Sequence, residues 1–84
     1  MNQAYSRRHA YWNLRVIEFG SGEDTWSAVH EVHYEADGSL KGYSANPAML
    51  MWTADDEPGA PQRCLAKFQR ALAEPAIKAA EFER

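Results

Sequence analysis

Two runs that alternate between apolar and polar residues predict a β-hairpin near the start of the chain. The first run covers residues 11–19 and the second covers residues 25–35, with the polar residues 20–24 between them. Both runs are rich in aromatic and β-branched side chains, which favour strands. A glycine-containing loop of five residues between two such runs is typical of a hairpin.

The expected hairpin register places the apolar residues of both strands on one face, because strand side chains alternate between faces. Pairing Phe19 with Thr25 gives three cross-strand neighbours on that face: Val16 with Ala28, Leu14 with His30, and Trp12 with Val32. A shift of one residue would move each set to the other face. The opposite face is then predicted to meet water with Asn13, Arg15, Val29, Glu31, His33 and Glu35.

A tight turn at Asp37-Gly38 predicts a third strand over residues 40–45, because Asp-Gly favours positive φ. That turn would set Tyr43 beside Val32 and Ala45 beside His30. Asn46-Pro47 ends the sheet. The apolar residues 48–52 follow, and we interpret them as a cover for the end of the sheet, with an interaction patch as the alternative.

The C-terminal part of the chain predicts an amphipathic helix over residues 61–73. Pro61 suits the first helical position. Leu65, Phe68 and Leu72 fall on one side at 100° per residue and are expected to face the sheet. Pro75 interrupts the helix, and residues 76–83 are expected to add a further turn or two.

The predicted fold is therefore α+β, with a three-stranded antiparallel β-meander and a C-terminal amphipathic helix packed on one face. We expect one domain over residues 1–84, since the chain has only 84 residues. Its parts are a polar tail (1–9), the meander (10–45), a loop (46–60) and a helical region (61–83).

Charge changes this picture, because the net value of −3 is unevenly spread. Residues 1–20 and 61–84 each carry +2, whereas residues 21–60 carry −7. An acidic middle disfavours nucleic-acid binding through that region, since phosphate contacts supply most such affinity. The single cysteine, Cys64, excludes an intrachain disulfide and fits a reduced, cytoplasmic protein. We expect no signal peptide and no membrane span.

No candidate site has the spacing that catalysis or metal binding requires. His30 and His33 are three apart, which on a strand directs them to opposite faces, so His30 is expected to be a hydrogen-bonded core residue. The adjacent acids 55–57 lack the spaced ligands of a calcium loop. No serine or cysteine has the surroundings of an activated nucleophile. We therefore expect no enzymatic activity, no metal and no cofactor.

Four short motifs resemble a family of small uncharacterised bacterial and mobile-element proteins. They are residues 13–18 (NLRVIE), residues 28–34 (AVHEVHY), Asp37-Gly38 and Gly42-Tyr43. The resemblance covers about residues 11–75 and departs from the family where Leu14 and His33 replace tyrosines. It implies a βββα order and no site, because no activity is established for that family. The same order is similar to antitoxin domains of the HicB type, although their glycine- and proline-rich strand connections are missing.

These observations favour a non-enzymatic module that uses an acidic surface to dock on a basic partner protein. A small inhibitor or regulator of a nucleic-acid-binding protein would fit, such as a phage-encoded inhibitor of a host defence complex. The residues expected to contact the partner are Glu23, Asp24, Glu31, His33, Glu35, Asp55, Asp56 and Glu57. A homodimer through the outer sheet face or the edge of the third strand also remains open.

The alternative is a nucleic-acid-binding or antitoxin-like regulator. It would use the cations at the two ends of the chain, which must converge: Arg7, Arg8, Arg15, Arg63, Lys67 and Arg70.

Overall fold

A four-stranded mixed sheet and one α-helix make up the computed structural model, which describes residues 9–83. In chain order the elements are β1 (Tyr11–Phe19), a 3₁₀ helix (Gly22–Asp24), β2 (Trp26–Tyr34), β3 (Leu40–Tyr43), α1 (Ala60–Ala73), β4 (Ile77–Lys78) and a second 3₁₀ helix (Ala79–Phe82). The strand order is β3-β2-β1-β4. The α+β class is confirmed. The prediction of the sheet is wrong in detail, because the two residues of β4 add a parallel strand to the predicted antiparallel meander.

The register of the hairpin differs by one residue from the prediction. Phe19 pairs with Trp26 rather than Thr25, so Ile17 lies opposite Ala28 and Val16 lies opposite Val29. The loop is one residue longer than expected because it contains the first 3₁₀ helix. Gly20 and Gly22 in this loop have positive φ, and the rings of Phe19 and Trp26, which flank the loop, stack on each other. Asn13 and Arg15 therefore share a face with His30 and Val32 instead of with Glu31 and His33. Leu14, expected beside His30, lies opposite Glu31, and Trp12 lies opposite His33.

The hydrophobic core lies on the face that carries Ile17 and Val32, and the C-terminal segment covers it. Ile17, Val32, Tyr34 and Ile77 are buried, with Phe19, Leu40, Ala79 and Phe82 packed around them. The Phe82 ring meets Tyr43 edge-on at 4.8 Å. The residues beyond Pro75 were expected to form a further helical turn or two; they form one 3₁₀ helix and, in addition, β4 and part of the core.

The second turn follows the prediction, and the third strand starts where predicted but is two residues shorter. Gly38 has a φ of 92°, and the backbone N–H of Glu35 donates to Ser39. Ser39 donates from both its backbone N–H and its hydroxyl to Asp37, and these bonds hold the pKa of the Asp37 carboxyl below its usual value of 3.8. Tyr43 lies opposite Val32 as expected. β3 ends at Tyr43, however, so Ala45 does not pair with His30.

Helix α1 starts one residue before Pro61 and ends ahead of Pro75, as predicted, but it is rotated about its axis. Its least exposed side chains lie mainly along one stripe of residues 61, 64, 68 and 71. Leu65 and Leu72, expected to face the sheet, are 45% and 67% exposed. The stripe that is shielded therefore shares only Phe68 with the predicted ridge.

α1 contacts β1 and runs in the same direction along it. Lys67 lies over the ring of Trp12, and further along both elements the side chain of Arg15 donates to the carbonyl of Pro75 at 2.7 Å. The chain then enters β4 beside Ile17. This direction places the helix next to the outer edge of β1, ahead of β4.

Candidate interaction surface

A continuous run of exposed apolar side chains occupies residues 49–52, which we call the apolar segment. Met49, Leu50, Met51 and Trp52 are 70%, 50%, 57% and 50% exposed. Scattered apolar residues are normal on protein surfaces, but a run of three to four exposed ones is typical of a binding function. These exposures favour the interaction patch over a cover for the end of the sheet, although Leu50 and Trp52 have half of their surface shielded.

The apolar segment is fixed at both ends. The backbone N–H of Ala48 donates to the carbonyl of Val29 at 2.8 Å, on the β3 side of β2. At the other end, the N–H of Thr53 donates to the carboxylate of Asp56 at 2.7 Å. The backbone that carries the four exposed side chains is therefore held on both sides, which reduces the conformational entropy lost when a partner binds them.

The acidic residues predicted to bind a partner do not form one surface. Glu23 and Asp24 lie in the first 3₁₀ helix and Glu35 follows the far end of β2. The nine residues of β2 span about 30 Å at the usual rise per residue. These two groups of acids are therefore at opposite ends of the hairpin.

Two of the predicted residues do contact each other on the sheet face away from the core. The Nε2 atom of His33 lies 3.5 Å from the carboxylate of Glu31, and both side chains are about half exposed. Neither is buried beneath the helix, since nearly half of each side chain is exposed. This pair is accessible to a partner.

The remaining predicted acids directly follow the apolar segment in the chain. Asp55, Asp56 and Glu57 are all exposed. Asp56 holds Thr53, and Glu57 accepts a 2.9 Å hydrogen bond from the guanidinium of Arg63. The apolar segment is thus bordered by negative charge.

His30 is a buried, hydrogen-bonded core residue, as predicted. It is 3% exposed, and its Nδ1–H donates to the carbonyl of Ser44 at 2.9 Å. Its ring contacts those of Phe19 and Tyr43. The other ring nitrogen, Nε2, is also buried and has no hydrogen-bond partner within residues 9–83.

A groove between β1 and α1 gathers the cations that the sequence placed far apart. Its volume is about 660 Å³, and it is lined by Trp12, Asn13, Leu14, Arg15, Lys67, Arg70 and Glu74. Arg63 lies outside it and pairs with Glu57 instead. Arg7 and Arg8, also expected to join these cations, lie outside the described residues. Sequence reasoning missed the groove because its position depends on which side of α1 meets β1.

Within residues 9–83, no three histidine, cysteine or acidic side chains are grouped so that they could hold a metal ion. In the same range no helix has both the length and the apolar character needed to cross a bilayer. No protein family, no curated protein and no solved structure matches this chain. The family resemblance of the four sequence motifs therefore stays a prediction.

Proposed function

We propose that this chain is a non-enzymatic protein-interaction module that docks on its partner through the apolar segment 49–52. The observation that carries this proposal is the exposure of four consecutive large apolar side chains. Tryptophan and methionine are enriched in protein interfaces, and tryptophan is the residue most often found at their energetic centre. Two flexible methionines next to Trp52 also suit a surface that adapts to an apolar pocket.

The anchoring of this segment supports the same function. Ala48 and Thr53 hold its ends by hydrogen bonds of 2.8 and 2.7 Å. A segment whose ends are already ordered loses less conformational freedom on binding than a free tail would lose. More of the free energy from burying Trp52 and its neighbours is then available as affinity.

The border of the apolar segment supports a partner with a basic surface. Asp55 and Asp56 follow it in the chain, and residues 21–60 as a whole carry a charge of −7. Complementary charge at the rim of an interface speeds association and disfavours wrong partners. An apolar pocket ringed by lysine or arginine is the expected docking site. Such a surface is common on proteins that bind nucleic acids, and occupying it would make this chain an inhibitor or regulator of such a protein.

Site-specific photo-crosslinking tests this proposal. Trp52 is replaced by the photoreactive residue p-benzoylphenylalanine, and Lys41, an exposed residue of β3, is replaced in the same way as the control. Irradiation in lysate of the native host should give one discrete protein adduct from position 52 and none from position 41. Identical adducts from both positions, or none from either, would contradict the proposal.

Two further variants separate the apolar contribution from the acidic one. Trp52→Ser should abolish capture of the crosslinked protein, whereas Asp55→Lys should weaken it and make the residual binding less sensitive to salt. Glu35→Lys is the matched control, because Glu35 is an exposed acid that follows β2 rather than the apolar segment. If Asp55→Lys captured the partner unchanged, the proposed basic surface of the partner would be contradicted, and only the apolar contact would remain.

A further inference from the structure

We propose that the groove between β1 and α1 binds an extended acidic peptide, which joins the sheet as a strand beside β1. This site is separate from the apolar segment. The apolar segment follows Ala48, which is bonded to β2 on the β3 side of the sheet, whereas the groove lies along the opposite, outer edge of β1. The inference therefore does not depend on the function proposed above.

The lining of the groove indicates an open strand edge. Four consecutive residues of β1, from Trp12 to Arg15, line it. Successive strand side chains point to opposite faces, so a single groove contacts all four only where it runs along the edge of the strand. β2 occupies the other edge, and β4 pairs only with Ile17 and Glu18.

The backbone of this edge is available for pairing. Among the described residues, no backbone hydrogen bond joins residues 12–15 to the helix or to the loop that follows it. An exposed edge presents a row of N–H and C=O groups to which an extended peptide can add. In that mode the main-chain hydrogen bonds provide affinity, and the side chains around the edge select the sequence.

The charges around the groove select acidic side chains. Three cations line it, Arg15, Lys67 and Arg70, against one acid, Glu74. Within residues 9–83 none of these cations forms an ion pair, since the two pairs found there are His33–Glu31 and Arg63–Glu57. Arg15 donates to the uncharged carbonyl of Pro75, which leaves its positive charge uncompensated.

The dimensions suit a short segment of chain. Four strand residues extend about 13 Å, and 660 Å³ is within the usual range of ligand sites. A peptide in the groove would continue the line of β4, whose chain reaches the edge only after Pro75. A nucleic acid could meet the same three cations through its phosphates, but it has no alternating N–H and C=O groups to match the strand edge, so the edge favours a peptide.

Fluorescence anisotropy with defined probes tests the site in the full chain. The probe is a fluorescein-labelled hexapeptide of alternating valine and glutamate. The comparison probes replace glutamate by lysine, or keep glutamate and N-methylate the backbone amides, and a ten-nucleotide oligothymidine serves as competitor. The acidic peptide should bind and should slow amide hydrogen exchange at Trp12 and Leu14, whose N–H groups face away from β2 because those of Asn13 and Arg15 pair with it. The lysine and N-methylated peptides should bind at least about tenfold more weakly, and the oligothymidine should not displace the acidic peptide.

Other results would overturn the proposal. Absence of binding at millimolar acidic peptide would do so, as would equal binding of the N-methylated peptide, since charge alone would then explain the affinity. Displacement by oligothymidine would assign the groove to nucleic acid instead.

Protein variants locate the binding on the groove. Replacing Lys67 and Arg70 together by glutamine should weaken the acidic peptide by up to roughly thirtyfold, which is the sum of two exposed ion pairs at the upper end of their usual strength. Arg63→Gln is the matched control, because Arg63 is on the same helix but pairs with Glu57 outside the groove. It should change the affinity by less than about twofold. Equal affinities for the double variant and the control would place the peptide elsewhere.

Discussion

Truncating Ile17 to alanine should destabilise the protein far more than truncating its neighbour Val16. Ile17 is fully buried at the centre of the core, beside Val32 and Ile77. Removing its three outer carbon atoms costs about 2.4 kcal/mol of transfer free energy, and the cavity left behind raises the loss to roughly 3–4 kcal/mol. That is a large share of the roughly 4–13 kcal/mol expected for a domain of this length.

Val16→Ala is the matched control on the same strand. Val16 is partly exposed and lies on the opposite face, so the loss of two methyl groups should cost only about 1 kcal/mol. Urea unfolding followed by circular dichroism measures both. With an m-value of about 1 kcal/mol/M for a small domain, Ile17→Ala should lower the midpoint by about 3 M and Val16→Ala by about 1 M. Equal losses, or a larger loss for Val16→Ala, would mean that Val16 pairs with Ala28 and that the register described here is wrong.

Three further predictions concern the turns and the state of association. Gly20→Ala should lower the free energy of unfolding by at least about 1–2 kcal/mol, because φ at Gly20 is +80° and a Cβ atom there would meet the carbonyl oxygen of Asp24. Gly42→Ala is the control, because Gly42 has open space and an ordinary φ; it should lower the free energy of unfolding by less than about 1 kcal/mol in the same urea assay. In a carbon-detected NMR titration the Asp37 carboxyl should have its midpoint below 3.8, and Ser39→Ala should raise that midpoint. Because folding lowers this pKa, the stabilisation that the turn gains from the ionised Asp37 is complete above pH 3.8. It is lost as the pH falls through the folded-state pKa. Light scattering at micromolar concentration should give the monomer mass of 9.5 kDa, since negative charge beside the apolar segment opposes pairing of two copies, and a dimer mass would instead assign that segment to self-association.

The local sequence signals predicted most of the elements. Alternation and aromatic content predicted β1 and β2, Asp37-Gly38 predicted the turn before β3, and the two prolines at 61 and 75 bounded α1. Each of these signals acts over a few residues, so it does not depend on distant contacts. The burial of His30 also followed from its position among apolar residues.

The errors arose where distant parts of the chain compete for the same surface. The face of β1 was assigned from Trp12, Leu14 and Val16, although Ile17 and Phe19 have the opposite parity and belong to the core, Ile17 fully buried and Phe19 partly. The apolar ridge of α1 was expected to face the sheet, but the C-terminal residues that follow Pro75 cover the core instead. With the core already covered, Leu65 and Leu72 remain largely exposed.

The candidate surfaces could be predicted only in part. An interaction patch at residues 48–52 was the alternative to a cover for the sheet, and only the exposure of the side chains separates the two. The separation of the acidic residues depends on the length of the hairpin and on which of its two ends each acid occupies. The groove depends on the direction and rotation of α1 beside β1, which helix periodicity alone does not determine.

Hydroxyl-radical footprinting with mass spectrometry measures directly whether the apolar segment is open in the free protein and covered in the complex. The side chains of Met49, Met51 and Trp52 react readily and report their own exposure. They should be oxidised rapidly in the isolated protein and become protected when the crosslinked partner is added, while Trp26, an exposed residue at the start of β2, keeps its rate. Slow oxidation of residues 49–52 in the isolated protein, or unchanged rates in the complex, would show that this segment is not the docking surface.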